Sequence, residues 1–355
     1  MASDAAYAGN LTTDIHAIAG GGASTLSFCI SPYLSLYIHE SLAKLKAIDP
    51  ATSALLTSGV QQIVARSRHS LKLFEDTKRG VDGQLAYFRD VLMPAHRDRF
   101  LGNVRFKVFR FLETDLGLYR YDGRLISTTH AANFHMGQDP QAILTMPGAE
   151  IQAIYQEYGH FVATLGGRRC TPGQTFVSHL DPRKFNSHVD DVRSERYYPK
   201  VFDGSSNPDL NALLTVFQAM LNFAHIAGVG GSGAADYSAF KIRFLTLYQV
   251  LGSLRILRDG QLRTLTSRSI QFINKLVGSP EAQLILAPAA KPFRNTLMHY
   301  NLNPKVDKLR VDIEAPLFGL VPIYFPAYDA GTFASAIHEC IAEAATTMDE
   351  WANLP

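Results

Sequence analysis

Two side chains near the end of the chain could do chemistry together. In Lys291-Pro-Phe-Arg-Asn-Thr-Leu-Met-His-Tyr300 an Arg-Asn pair stands just ahead of a His-Tyr pair. An imidazole beside a guanidinium suits phosphodiester cleavage without a metal. His299 would exchange a proton with a ribose hydroxyl or leaving oxygen, and Arg294 would stabilise charge on the phosphate. Asn295 lies one helical turn before His299, shares its face and could orient both groups. Arg294 and His299 are five positions apart, which turns them about 140° from each other on an unbroken helix. They converge if the helix begins at Pro292, or if a second copy of the chain completes the site. The competing reading is a helix end whose Arg and His satisfy carbonyls and nearby carboxylates such as Glu281 or Asp312.

A second stretch could seek phosphates. Between Arg89 and Arg110, six basic residues (Arg89, Arg97, Arg99, Arg105, Lys107, Arg110) face only Asp90 and Asp98, with Phe100, Phe106 and Phe109 interleaved. One reading is a local RNA-binding surface on which aromatic rings stack against bases. The other is a helical pair with solvated arginines outside and phenylalanines in the core.

The remaining candidates carry less chemistry. His225 precedes Gly228-Val-Gly-Gly-Ser-Gly233, which lies between two helices and so is not a dinucleotide fingerprint. A histidine cap followed by a plain link would explain it equally well. His130 and His135, and His179, His188, Asp190 and Asp191, lack the spacing of a helical zinc pair and read as surface-loop residues. Asp190 to Tyr198 could close over a substrate or dock onto the body of the protein. Cys29, Cys170 and Cys340 are scattered and odd in number, which suits a reducing compartment better than a disulfide framework.

The elements that must position these groups are mostly helical. The chain of 355 residues has room for two domains or one large one, and its net charge of +2 confines any nucleic-acid contact to a local surface. The opening residues lack the basic start of a secretory signal. The longest apolar stretch, 315–328, is too short and proline-rich to span a bilayer. A cytoplasmic protein without membrane contact is expected.

Residues 1–30 read as a loosely held arm. Ser31-Pro32 and Asp49-Pro50 look like helix starts, leading helices over 32–47 and from 50 to about 78. Another helix covers 149–165, and a long irregular connection follows over 166–207, including an extended piece at 174–180. From 208 the periodicity gives five helices around one core, the third running over about 261–277. No stretch alternates clearly enough to require a sheet. The expected fold is mainly α: a helical N-terminal region (31–207), a seam near Ser205-Pro208, and a C-terminal five-helix bundle.

Arg-Asn-x-x-x-His near the end of a helical bundle resembles the signature of the HEPN superfamily, over about residues 209–353. The resemblance implies a metal-independent endoribonuclease or an RNA-binding relative of a defence or toxin type, with no cofactor and usually a homodimer. It places Arg294, Asn295 and His299 in the catalytic site, with Tyr300 flanking the RNA. The histidine and glycine-rich loop at 225–233 resembles the haem pocket of the tryptophan dioxygenase class, which implies a haem-dependent oxygenase with His225 as proximal ligand. A helical interaction module without chemistry is the third reading.

Overall fold

A helix occupies the stretch expected to be a loose arm. α1 (Ala2–Ala17) buries Tyr7, Leu11 and Ile15 at one-turn intervals, with Asp4 and Ala8 beside them. Alanine supplies the helix propensity here, and the apolar face is a single narrow row. In this computed structural model, residues 1–18, 21–75, 80–166, 175–186, 190–203, 207–230, 236–260 and 265–354 are described. Within them the protein is mainly α, as expected.

α2 (Gly22–Ile48) passes straight through Ser31-Pro32, so the expected start at Pro32 is corrected. Proline in a helix interior forfeits one backbone hydrogen bond. Burial of Leu26, Cys29 and Ile30 ahead of it continues the packing of Leu34, Leu36 and Ile38 behind it. The single helix expected from residue 50 is two. α3 (Pro50–Ser53) is one turn capped by Asp49, and α4 (Ser58–Ser70) starts afresh on its own cap, Thr57. After α5 (Gly80–Tyr87), a π turn at Phe88–Leu92 leads into α6 (Met93–Phe100). The wider turn lies just ahead of Pro94, whose ring would crowd a regular helix at that point.

A small sheet corrects the expectation of none. β1 (Leu116–Tyr121) and β2 (Arg124–Thr128) form an antiparallel hairpin, and β3 (Asp190–Val192) adds to the other side of β1. Asp122 and Gly123 make the turn with φ of 50° and 78°, the left-handed pair that matches hairpin twist. The strands escape alternation because β2 is buried from Leu125 to Thr128, on both faces. Its Leu125 carbonyl accepts from the Asn222 side chain at 3.0 Å.

α7 (Thr129–Met136), α8 (Pro140–Thr145) and α9 (Gly148–Leu165) follow, and α9 closes a satellite core with α2 and α4 through Tyr158, Phe161, Ile38, Leu42 and Val64. Parts of the connection expected to be irregular are ordered: a 3-10 turn at Phe176–His179 replaces the extended piece, and α10 (Ser194–Tyr197) docks against the sheet. The later helices are α11 (Pro208–Ile226), α12 (Tyr237–Gly260), α13 (Ser267–Gly278), α14 (Pro280–Leu286), α15 (Ala290–His299), α16 (Leu320–Tyr324) and α17 (Ala330–Ala352).

The expected fourth helix is thus divided at Pro288 into α14 and α15, and the third begins at Ser267 rather than near 261. α11 and α12 are buried nearly all round, as central helices are. One continuous core takes in Tyr7 of α1 and Trp351 of α17, so no break in packing separates the N-terminal helices from the C-terminal ones. Residues 204–206 of the expected seam lie outside the described residues. Among the described residues, no helix is long and apolar enough to cross a membrane.

Candidate functional site

The Arg-Asn-x-x-x-His-Tyr motif sits on α15 and its end, and its three reactive side chains go to three different carboxylates. α15 is continuous from Ala290 through Pro292 to His299, so the divergence expected of residues five apart is realised. Arg294 is 3% exposed and ion-paired to Glu75 at 3.0 Å. It also donates to the Asn295 side-chain oxygen at 2.9 Å and lies over the Tyr248 ring, whose hydroxyl donates to the same Glu75. His299 is half-buried and meets Glu40 through Nδ1 at 2.8 Å, and Glu40 is held from behind by Arg68 at 2.6 Å. Burial pushes the Glu40 carboxyl up, but the His299 hydrogen bond and the Arg68 charge outweigh it and hold it below its ordinary range. The structure does not bring Arg294 and His299 onto a common group. The expected partners Glu281 and Asp312 are replaced by acids of the N-terminal third, which sequence distance hides.

Tyr300 turns inward, although it was expected to flank RNA. It ends α15 in the left-handed region (φ 52°) and donates to Asp4 at 2.6 Å. Asp4 is fully buried, accepts from Ser238 at 2.5 Å and pairs with the equally buried Lys241 at 2.7 Å. The Lys241 ammonium lies over the rings of Tyr300 and Tyr37, 4.2 and 4.8 Å from their centroids. Burial raises the Asp4 carboxyl, while Lys241 and the hydroxyl donors lower it further, for a net fall. Arg294, His299 and Tyr300 thereby clasp α15 to the turn after α4, to α2 and to α1.

The basic, aromatic stretch lies on the opposite kind of surface. Beyond α6 the chain makes a loop and a 3-10 turn at Lys107–Leu112. Glu113 fixes the loop from within by accepting the backbone N–H groups of Gly102 and Val104 at 2.9 and 2.7 Å. Arg193 donates to the carbonyls of Glu113, at 2.9 Å, and Arg110. With the backbone so anchored, the side chains point outward: Phe106 is 64% exposed, Phe111 59%, Val108 71% and Leu112 63%. Phe100 is exposed too, so the expectation of phenylalanines in the core fails for Phe100 and Phe106. Arg97, Arg99, Arg105 and Arg110 are exposed and, among the described residues, form no ion pair. The side chains of Lys107 and Phe109 lie outside what is described. Arg89, by contrast, pairs with Asp90 at 2.9 Å.

His179 is exposed at the end of the 3-10 turn Phe176–His179, as a surface residue, but the two earlier histidines are not surface-loop residues. His130 and His135 lie on α7 and are buried, with His130 Nδ1 2.9 Å from the Tyr198 hydroxyl and His135 Nδ1 2.7 Å from Ser70. His96 of α6 stacks edge-on against His130, its ring centroid 4.4 Å away. Burial pushes His96 down to about 4, His135 to about 3 and His130 well below its ordinary value, so all three are neutral. Their helical burial was missed because a histidine gives no hydropathy signal. His188 lies outside the described residues. Asp190 and Asp191 are on β3, and Asp190 faces Arg120 at 3.6 Å. The stretch Asp190–Tyr198 docks rather than closes: Ser194 bonds to Asp115 through its N–H and hydroxyl at 2.8 and 2.6 Å, and Tyr198 is buried. Among the described residues, no His, Cys, Asp and Glu cluster is arranged to hold a metal.

His225 ends α11 beside the glycine turn, of which Gly231–Gly233 lie outside the described residues. Its ring stacks near that of His338 of α17, 6.3 Å between centroids, and Arg243 of α12 donates to His338 Nδ1 at 2.6 Å. A second imidazole and a guanidinium thus surround the expected haem ligand. A separate core cavity beside Cys29, Tyr33 and His135 is about 20 Å³, room for about one water. The chain matches no protein-family model, no curated protein and no solved structure in the three comparisons made.

Proposed function

We propose that the protein binds single-stranded RNA through the face formed by α6 and the 3-10 turn after it, and that the Arg294–His299 motif has a structural role. The observation that carries this reading is the display of Phe106 and Phe111 among Arg99, Arg105 and Arg110, all exposed on a backbone fixed by Glu113 and Arg193. Unpaired guanidinium groups neutralise phosphates, and exposed aromatic rings offer stacking platforms for bases. A dry interior contact would bury these rings, and a purely solvated face would not carry them. The reading keeps the RNA-binding half of what the HEPN resemblance implies. It sets cleavage aside, because a guanidinium 3% exposed and ion-paired to Glu75 offers little to a phosphodiester.

The test is salt dependence. If Arg97, Arg99, Arg105 and Arg110 each neutralise one phosphate, log affinity for a labelled single-stranded RNA falls with log salt with a slope of about −3. Arg105→Ala makes that slope shallower by about 0.7. Absence of salt-dependent RNA binding, with binding to anionic lipid vesicles instead, would assign the face to a membrane surface and overturn the proposal.

A further inference from the structure

One buried guanidinium has no counter-charge among the described residues. Arg243 of α12 is 6% exposed, and its Nε is buried with no hydrogen-bond partner. Its one hydrogen bond among the described residues goes to a neutral acceptor, His338 Nδ1, at 2.6 Å. Among the described residues no carboxylate pairs with it, and burial alone moves its pKa, downward. Every other strongly buried cation among the described residues has an acid: Lys241 has Asp4, Arg68 has Glu40 and Arg294 has Glu75. An uncompensated buried charge is costly, so a fold that retains one points to a charge supplied from outside.

The surroundings suit an anion. The His225 Nδ1 is also buried without a partner, and the His225 and His338 rings lie side by side. Nearby Arg124 is already matched by Asp349 at 3.4 Å, and Asp349 is further held by Gln218 and Asn222 at 2.7 and 2.9 Å. Glu339 acts on His338 from the exposed side. Gly228 makes the close approach possible: a Cβ there would come within 2.9 Å of the Arg243 guanidinium carbon. His338 is exposed and His225 half-buried, so the cluster opens to solvent past His338.

We infer that Arg243, His225 and His338 form a site for a phosphate-class oxyanion, held by charge-assisted hydrogen bonds from the guanidinium and the two imidazoles. The site is independent of the RNA reading and can fail or stand without it. Free phosphate and a small phosphomonoester share the chemistry, and the two arms of the test separate them.

Both are titrated calorimetrically into the whole chain, with inorganic phosphate in one arm and a 5′-mononucleotide in the other, while the His225 and His338 ring protons are followed by NMR. Inorganic phosphate binds with a dissociation constant on the order of 1 mM, and a tighter mononucleotide marks an ester as the ligand. Burial, then Arg124, His338 and Arg243, hold the His225 imidazole below its ordinary pKa against the pull of Asp349, and burial and Arg243 lower His338 against Glu339. A bound anion favours the protonated form of His225, so binding takes up a proton there and, for a given charge state of the anion, affinity rises as pH falls toward the ordinary imidazole range. Arg243→Met weakens binding at least about tenfold. His338→Ala, on the exposed side, is the second variant should Arg243→Met fail to fold, and it weakens binding severalfold. Absence of binding by either anion, or binding unchanged in His338→Ala with no shift of the His225 and His338 protons, overturns the site.

Discussion

Arg294→Met should destabilise the protein without removing any chemistry. Arg294 is 3% exposed and its partner Glu75 sits on the turn after α4, with the Tyr248 hydroxyl on the same carboxylate. Truncating one member of a buried pair leaves the other charge uncompensated, at about 3–5 kcal/mol. For 355 residues, an unfolding entropy of roughly 2.1 cal/mol/K per residue converts this to a fall in Tm of about 4–7 °C. Glu75→Gln in the Arg294→Met background removes the stranded charge, so the double variant should be the more stable of the two. The coupling, read from thermal and urea unfolding of both singles and the double, should exceed about 1.5 kcal/mol. RNA affinity per folded molecule should stay at the wild-type level. An Arg294→Met protein as stable as wild type, or additive effects of the two substitutions, would refute the clasp.

Three further outcomes follow from other parts of the fold. Stability should fall as pH drops from about 6.5 to about 4, monitored by urea midpoints: the buried His96 and His135 titrate near 4 and 3 when folded but near about 6.5 when unfolded. The unfolded chain therefore binds more protons across that window, and each histidine costs about 3 kcal/mol by pH 4. His96→Phe, if it folds, should flatten part of that slope. Gly123→Val should cost about 1–3 kcal/mol, because its φ of 78° closes the β1–β2 hairpin and a β-branched residue is strained there; a Tm unchanged in the variant would contradict the turn assignment. His299→Ala should cost only about 1–2 kcal/mol, since Arg68 still compensates Glu40, and a Tm loss as large as that of Arg294→Met would contradict it.

The helices were largely legible, because α11, α12 and α17 carry long apolar rows and clear caps. α1 was not, since alanine and three spaced apolar residues look like a small, polar arm until α9, α2 and α12 cover them. Pro32 misled for a physical reason: a start signal is local, whereas the packing that carries α2 through it is not. The β1–β2 hairpin showed its Asp-Gly turn but not its strands, whose two buried faces erase alternation. In the motif, the residue types were visible and their partners were not. Glu75, Glu40 and Asp4 lie more than two hundred positions upstream of the residues they hold, and no spacing rule reaches that far. The basic stretch left open whether its phenylalanines faced inward or outward, and Glu113 and Arg193, which decide it, act through backbone groups.

The most direct measurement is a side-by-side anisotropy titration of one labelled single-stranded RNA with four proteins at low salt. Phe106→Ala/Phe111→Ala should lose about 30-fold or more in affinity, from two stacks of about 1–3 kcal/mol each. Arg105→Ala/Arg110→Ala should lose about tenfold or more at the same salt. His299→Ala should bind as wild type does. RNA binding abolished by His299→Ala and untouched by the two surface doubles would contradict the account and return the function to α15.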